Sequence, residues 1–228
     1  MKIVFMNLVS KMIAPILITF SAVNCVHHQQ VPVVAEAGNN SLQEMITGNI
    51  RFAHLKPVHP RENLQRLKDA AKAQHPFAII VCCADSRVSP ELVFDQGVGD
   101  LFVIRTAGNI IGDLELGSIE YAVEHLSVNL IVIMGHENCG AVKAFVEKAE
   151  APGHIKNIID SIKKEAEIMA VPLNDANRLD DCVKANIRHG IKQLHSQSKI
   201  VREKSEKNEL QIVGIRYDLD DFTVSIIE

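Results

Sequence analysis

The sequence predicts an α/β fold, with a mostly parallel central sheet flanked by helices and a C-terminal hairpin. Three observations predict it. Short apolar runs rich in β-branched residues recur at 77–81, 100–105 and 130–135, and helical apolar stripes fall between them. Polar residues able to carry chemistry follow the first and third runs directly. Strands alternating with helices argue for a parallel sheet, and ligands of such sheets bind beyond the carboxyl ends of the strands.

The elements follow in order along the chain. Lys2 and Lys11 precede the apolar run 12–23, which is too short for a spanning helix but suits a signal-peptide core. Residues 1–25 are therefore expected to be a signal peptide or lipoprotein signal, directing export to the periplasm. Ala22-Val23-Asn24 before Cys25 resembles a lipoprotein processing site, although Asn24 is bulkier than the small residue usually found there. Simple cleavage there or nearer 35–37 is the alternative, and a membrane association is expected only if Cys25 is lipidated. Residues 26–40, with His27 and His28, read as a flexible tail, and 41–228 as a single domain.

Ser41-Leu42-Gln43-Glu44 is a capping-box pattern, and Leu42, Met45, Ile46 and Phe52 form a helical apolar stripe. Prolines at 57 and 60 end that pattern, and 62–73 reads as a second, charged helix leading into the first strand. After a second strand at 100–105, Leu116, Ile119, Val123 and Leu126 fall on one helical face. The third strand, 130–135, ends at His136. Ile155, Ile158, Ile159, Ile162 and Met169 then repeat at helical spacing, as do Val183, Ile187, Ile191 and Leu194, so both stretches are expected to face the core. His189 and His195 are expected at the surface, and 199–209 reads as a solvated charge run. The chain closes with apolar-alternating runs at 210–217 and 222–227, a hairpin. Its first strand belongs beside the parallel sheet, its last at an edge or a dimer seam.

A formal net charge of −4 provides no basic stripe, which argues against nucleic acid as a partner. Five cysteines in 228 residues are too few for a disulfide framework in a domain of this size. Two of them sit in suggestive places. Cys83 lies in Cys83-Ala84-Asp85-Ser86-Arg87 at the end of the first strand, and Cys139 lies in His136-Glu137-Asn138-Cys139 at the end of the third. If the chain stays extended through Arg87, alternation places Cys83, Asp85 and Arg87 on one face and Cys82 on the other. Cys83, His136 and Cys139 can then converge on one ion. Zinc favours thiolate and imidazole, and three protein ligands leave a fourth position for water, the catalytic pattern. The competing reading is that Cys83 and Cys139 are buried apolar thiols. A redox role for Cys82-Cys83 is disfavoured, because neighbours on opposite strand faces pair poorly.

These motifs resemble those of the β-class carbonic anhydrases, and the resemblance extends through 100–109 and 117–123 to cover the chain from about Ser41 onward. It implies one Zn²⁺ per subunit on Cys83, His136 and Cys139, with Asp85 and Arg87 as catalytic residues. Asp85 paired with Arg87 would leave water on the zinc; Asp85 swung onto the metal would close the site. Gln74, Phe102 and Tyr121 stand where the open, plant-like branch lines its substrate pocket. The closed branch often carries a Trp in a bicarbonate effector site, and this chain has none. N-terminal helices that pack on a neighbouring subunit, and hence a homodimer or dimer of dimers, are also implied. The expected activity is the reversible hydration of carbon dioxide to bicarbonate and a proton by zinc-bound hydroxide, rising above pH 7 because two thiolates weaken the metal's acidity. The alternatives are hydrolysis of carbonyl sulfide or carbon disulfide on the same fold, and a non-catalytic zinc- or bicarbonate-binding protein.

Overall fold

Uninterrupted apolar runs make the centre of the molecule. In the computed structural model, which describes residues 40–227, they pair into one sheet in the order β2-β1-β3-β4-β5. The strands are β1 (Ala78–Cys83), β2 (Leu101–Thr106), β3 (Leu130–His136), β4 (Gln211–Tyr217) and β5 (Val224–Ile227). The first four run parallel and only β5 is antiparallel. This is the α/β sheet with a terminal hairpin that the sequence predicts. The expectations for the leader, the tail and Cys25 lie outside the described residues.

Buried on both faces, β1 and β3 have no need of polar alternation. Their side chains instead feed two separate cores. Ile79, Val81, Cys83, Ile131 and Ile133 point into the larger one, whereas Ile80, Cys82, Val132 and Met134 point into the other. Cys82 and Cys83 therefore face opposite ways, as the strand period requires.

The helices cover these faces. They are α1 (Asn40–Ala53), α2 (Leu64–Ala70), α3 (Pro90–Val93), α4 (Asp113–His125), α5 (Gly140–Val146), α6 (Ile155–Ile162), α7 (Ala166–Met169), α8 (Arg178–Gln197) and α9 (Lys199–Glu206). In α1, Met45 is fully buried and Leu42, Ile46 and Phe52 pack against the smaller core, so the predicted stripe docks on its own domain. By contrast α2 buries none of its residues, and Leu64 and Leu67 are exposed. The longest helix, α8, sends Val183, Ile187 and Leu194 into the larger core.

Three local expectations need correction. The stretch 155–169 is two helices, α6 and α7, separated by a turn; Ile155 and Met169 at its ends are exposed, so the repeat does not hold one face to the core. Residues 199–209 are not simply a solvated run: α9 is capped by the Ser198 hydroxyl on Val201 N–H and buries Val201. The first strand stops at Cys83, with Asp85 to Arg87 in a turn.

Candidate metal centre

Parallel pairing brings the two motifs to one edge. Cys82 stands beside Met134 in the register, so β1 and β3 leave the sheet at the same level, with Cys83 at the end of one and His136 at the end of the other. The chain then turns through Asn138, at φ 50°, and Cys139 becomes the residue that starts α5. The donor atoms of Cys83, His136 and Cys139 all lie within 4.8 Å of one another, and all three residues are buried.

The imidazole is aimed at this cluster. His136 Nδ1 stands 2.7 Å from the Glu137 carbonyl, which can only accept, so Nδ1 carries the proton and donates. Nε2 is left as the lone-pair nitrogen, and it is buried with no hydrogen-bond partner among the described residues. A ligating histidine presents itself in this way, its outer N–H fixed on a carbonyl and its inner nitrogen free. Two thiols complete the set. The Cys83 thiol is held below the usual thiol range, first by the hydrogen bond from Cys139, then by the neighbouring His136 ring and by the Gly108 N–H, 3.3 Å from its sulfur. Cys139 is pushed up correspondingly, because the proton shared by the pair stays on it. The pair thus holds one negative charge, with the Ala141 and Val142 amides directed at Cys139. A buried nitrogen lone pair beside two sulfurs that share one proton is a donor set matched to zinc.

Cys82, one residue away, behaves differently: burial pushes its thiol up to about 12, which keeps it protonated and inert.

Asp85 and Arg87 meet through the turn rather than through strand alternation. Arg87 N–H and Nε donate to Asp85 Oδ1, both at 2.9 Å, and Nη2 donates to Oδ2 at 2.7 Å. This two-pronged grip holds the carboxyl well below the usual carboxylate range, with the Arg87 side chain as the largest cause. Oδ2 lies 3.8 Å from His136 Nε2, so the carboxylate borders the donor cluster.

Three residues that sequence reasoning passed over hold this geometry. Arg105 on β2 donates from Nε to the Cys83 carbonyl (3.1 Å) and from Nη2 to the Asp85 carbonyl (2.6 Å), clamping the motif's backbone. Asn186 on α8 is buried and donates to the Gly108 carbonyl (2.9 Å) while accepting from Asn109 (3.2 Å), so it fixes the loop whose N–H reaches Cys83. At Gly108, φ is +72° and a Cβ would lie 2.9 Å from that of Ala141, so only glycine fits. A signal for two of them was present: Arg105 is the one charge in an apolar strand, and Asn186 interrupts the apolar stripe of α8.

Two of the three predicted pocket residues are elsewhere. Phe102 pairs with Ile79, four residues short of Cys83, and Gln74 precedes β1 at the opposite edge of the sheet, exposed. Phe102 and Tyr121 do group with each other, their ring centroids 6.5 Å apart, and Tyr121 is half exposed. Within one chain, then, Gln74 and Phe102 stand at the far end of β1 and β2 from the thiols.

Comparison with known proteins agrees with this arrangement. The family model described as "Carbonic anhydrase" matches residues 78–224. Carbonic anhydrase 2 of Mycobacterium tuberculosis is 38% identical over 178 residues, which is 76% of this chain and 85% of that protein. The carbonic anhydrase of Mycolicibacterium smegmatis is 38% identical over 183 residues, 78% of this chain and 88% of its own. Among solved structures, the β-carbonic anhydrase CcaA superposes with a TM-score of 0.67 at 28% identity, covering 82% of this chain and 95% of its own. A β-carbonic anhydrase from Sordaria macrospora, described as tetrameric, superposes with a TM-score of 0.65 at 25% identity, covering 82% of this chain and 97% of its own.

Proposed function

The chain belongs to the β-class carbonic anhydrases, and on that premise we propose that it is a zinc enzyme hydrating carbon dioxide reversibly to bicarbonate and a proton. The observation that carries this reading is the buried, unpartnered His136 Nε2 beside the Cys83 and Cys139 sulfurs. Zinc held there supplies one thing, a bound water acidified from about 16 toward about 7 and so a nucleophile near neutral pH.

The chain's own residues do the rest. Cys83, His136 and Cys139 hold the ion, and Arg87 keeps Asp85 from joining them. Asp85 Oδ1 is taken by two Arg87 donors, whereas Oδ2 accepts only one and keeps a lone pair free at the edge of the cluster. Because the carboxyl is held so far below its ordinary range, Oδ2 stays ionised: it accepts a hydrogen bond from the attacking oxygen and orients it, without taking the proton. This pairing supports the open branch of the family. Gln74, Phe102 and Tyr121 would line the approach of an uncharged linear substrate, and since Gln74 and Phe102 stand at the far edge of the sheet, a second copy of the chain brings them to the cluster. Exposed Leu64 and Leu67 on α2 support such an assembly. Export by way of the N-terminal leader completes the proposal, to be checked by N-terminal sequencing of the mature protein.

Stopped-flow hydration of carbon dioxide on the zinc-loaded protein, with a chelated sample and metal analysis alongside, tests the assignment. Turnover should track zinc content. Sulfide release from carbonyl sulfide without carbon dioxide hydration would move the reading to the sulfur analogue; neither activity, with zinc bound, would leave a binding protein.

A further inference from the structure

Away from the thiol cluster, α5, α6, α7 and the start of α8 enclose a cavity of about 620 Å³. That volume falls within the roughly 300 to 1,000 Å³ of small-molecule sites. None of its lining residues belongs to the metal centre. Buried Phe145, Ile159 and Ile168 make its inner wall, and exposed Met169 and Leu173 its lip.

The charged side chains lining it are all cationic. Lys148, Lys163 and Arg178 line the space, and among the described residues no carboxylate does. Lys163 has a partial counter-charge in Asp160 at 3.6 Å. Arg178 has none: among the described residues its buried Nε makes no hydrogen bond and its guanidinium enters no ion pair. Asp181, Asp175 and Glu165 share the surroundings of Cys182 with Arg178, but none forms an ion pair with it among the described residues, and Glu165 is itself pushed up to about 8 by burial. A partly buried guanidinium without an ion-pair partner carries a desolvation cost that an anion would relieve.

We propose that this cavity is a binding site for a small organic monoanion, a carboxylate on an apolar body, with the body against Phe145, Ile159 and Ile168 and the carboxylate on Arg178. Bicarbonate lacks the apolar body and does not match. The site is independent of the carbon dioxide reading, since it uses none of the same residues.

Titration calorimetry of the zinc-loaded, full-length protein with octanoate, octanol and bicarbonate tests it. Octanoate should bind saturably, with octanol and bicarbonate weaker by about tenfold or more, the worth of one charge-assisted contact. Arg178→Gln should weaken octanoate by a similar factor and leave octanol unchanged. Leu173→Glu, at an exposed position where folding is not at stake, places a like charge at the mouth and should also weaken octanoate. Absence of saturable binding, or octanol equal to octanoate, overturns the proposal. So does octanoate binding that is unchanged in Leu173→Glu, which would locate the anion elsewhere, including on the metal; that variant decides if Arg178→Gln does not fold.

Discussion

Asp85 is held by three hydrogen bonds from one residue, Arg87, two on Oδ1 and one on Oδ2. Removing the fork leaves an ionised carboxylate at 3.8 Å from His136 Nε2, held only by the backbone N–H of residue 87. Arg87→Ala is therefore expected to retain zinc stoichiometrically while losing turnover, Asp85 filling the position that water needs; full activity in that variant would refute the role of Arg87. Glu165 makes a second prediction at this scale. Its carboxyl is raised from 4.5 to about 8, burial first and the neighbouring Glu167 second. Between those values the folded chain keeps a proton that the unfolded chain has lost, so stability from this group is present at low pH and declines as pH rises toward 8. Glu165→Gln should remove that decline, gaining on the parent between pH 5 and pH 8 by on the order of a few kcal/mol in denaturant unfolding. Parallel pH dependences would show that Glu165 is not buried as a neutral acid. Donor identity was legible in the sequence because sulfur and imidazole at those spacings have few other uses. The fork was legible as a pair but not as a turn, because a strand period says nothing about where the strand stops.

Among the elements, α8 illustrates how the site is supported from behind. It lies so close to the sheet that a Cβ on Gly135 would sit 2.8 Å from Ile187 Cδ1, and one on Gly214 2.7 Å from Ile187 Cγ2. From the same helix Asn186 reaches the Gly108 loop and, through it, Cys83. Gly135→Ala is expected to push α8 outward, costing about 1 to 3 kcal/mol of stability and weakening zinc retention through the displaced loop; a midpoint of unfolding within error of the parent would show that the contact is soft. Strong periodicity located α1, α4 and α8 in the sequence. It failed at 155–169, where isoleucines at helical spacing continue across a turn, and at 199–209, where abundant charge concealed the buried Val201. Periodicity reports a face only while the helix is continuous, and composition does not report which residue of a charged helix points inward.

At the scale of the molecule, the proposed substrate pocket would be incomplete in one chain. Gln74 and Phe102 are separated from Cys83 by the length of β1, and α2 is a seven-residue helix with no buried side chain, tied to its own chain through Arg66 on the Val98 carbonyl and Asp100 while Leu64 and Leu67 stay exposed. In a two-fold assembly each site would take Asp85 and Arg87 from one copy and Gln74 from the other. Gln74→Ala and Arg87→Ala proteins, each impaired alone, should then recover about a quarter of parental activity after subunit exchange, because half of the dimers are mixed and each mixed dimer has one intact site. No recovery on mixing would place Gln74 in the same chain's site or outside any site.

The order of strands and helices, the sheet edge at which the two motifs meet and the identity of the three residues that cluster there were determined by the sequence alone, because alternation and side-chain chemistry are local properties. Tertiary structure decided the rest. Which nitrogen of His136 faces the sulfurs, that Cys83 is steadied by a glycine amide anchored from α8, that Gln74 lies across the sheet from the thiols, and that Arg178 stands in an apolar wall without a counter-ion all depend on contacts between residues far apart in the chain, and spacing along the chain does not encode such distances.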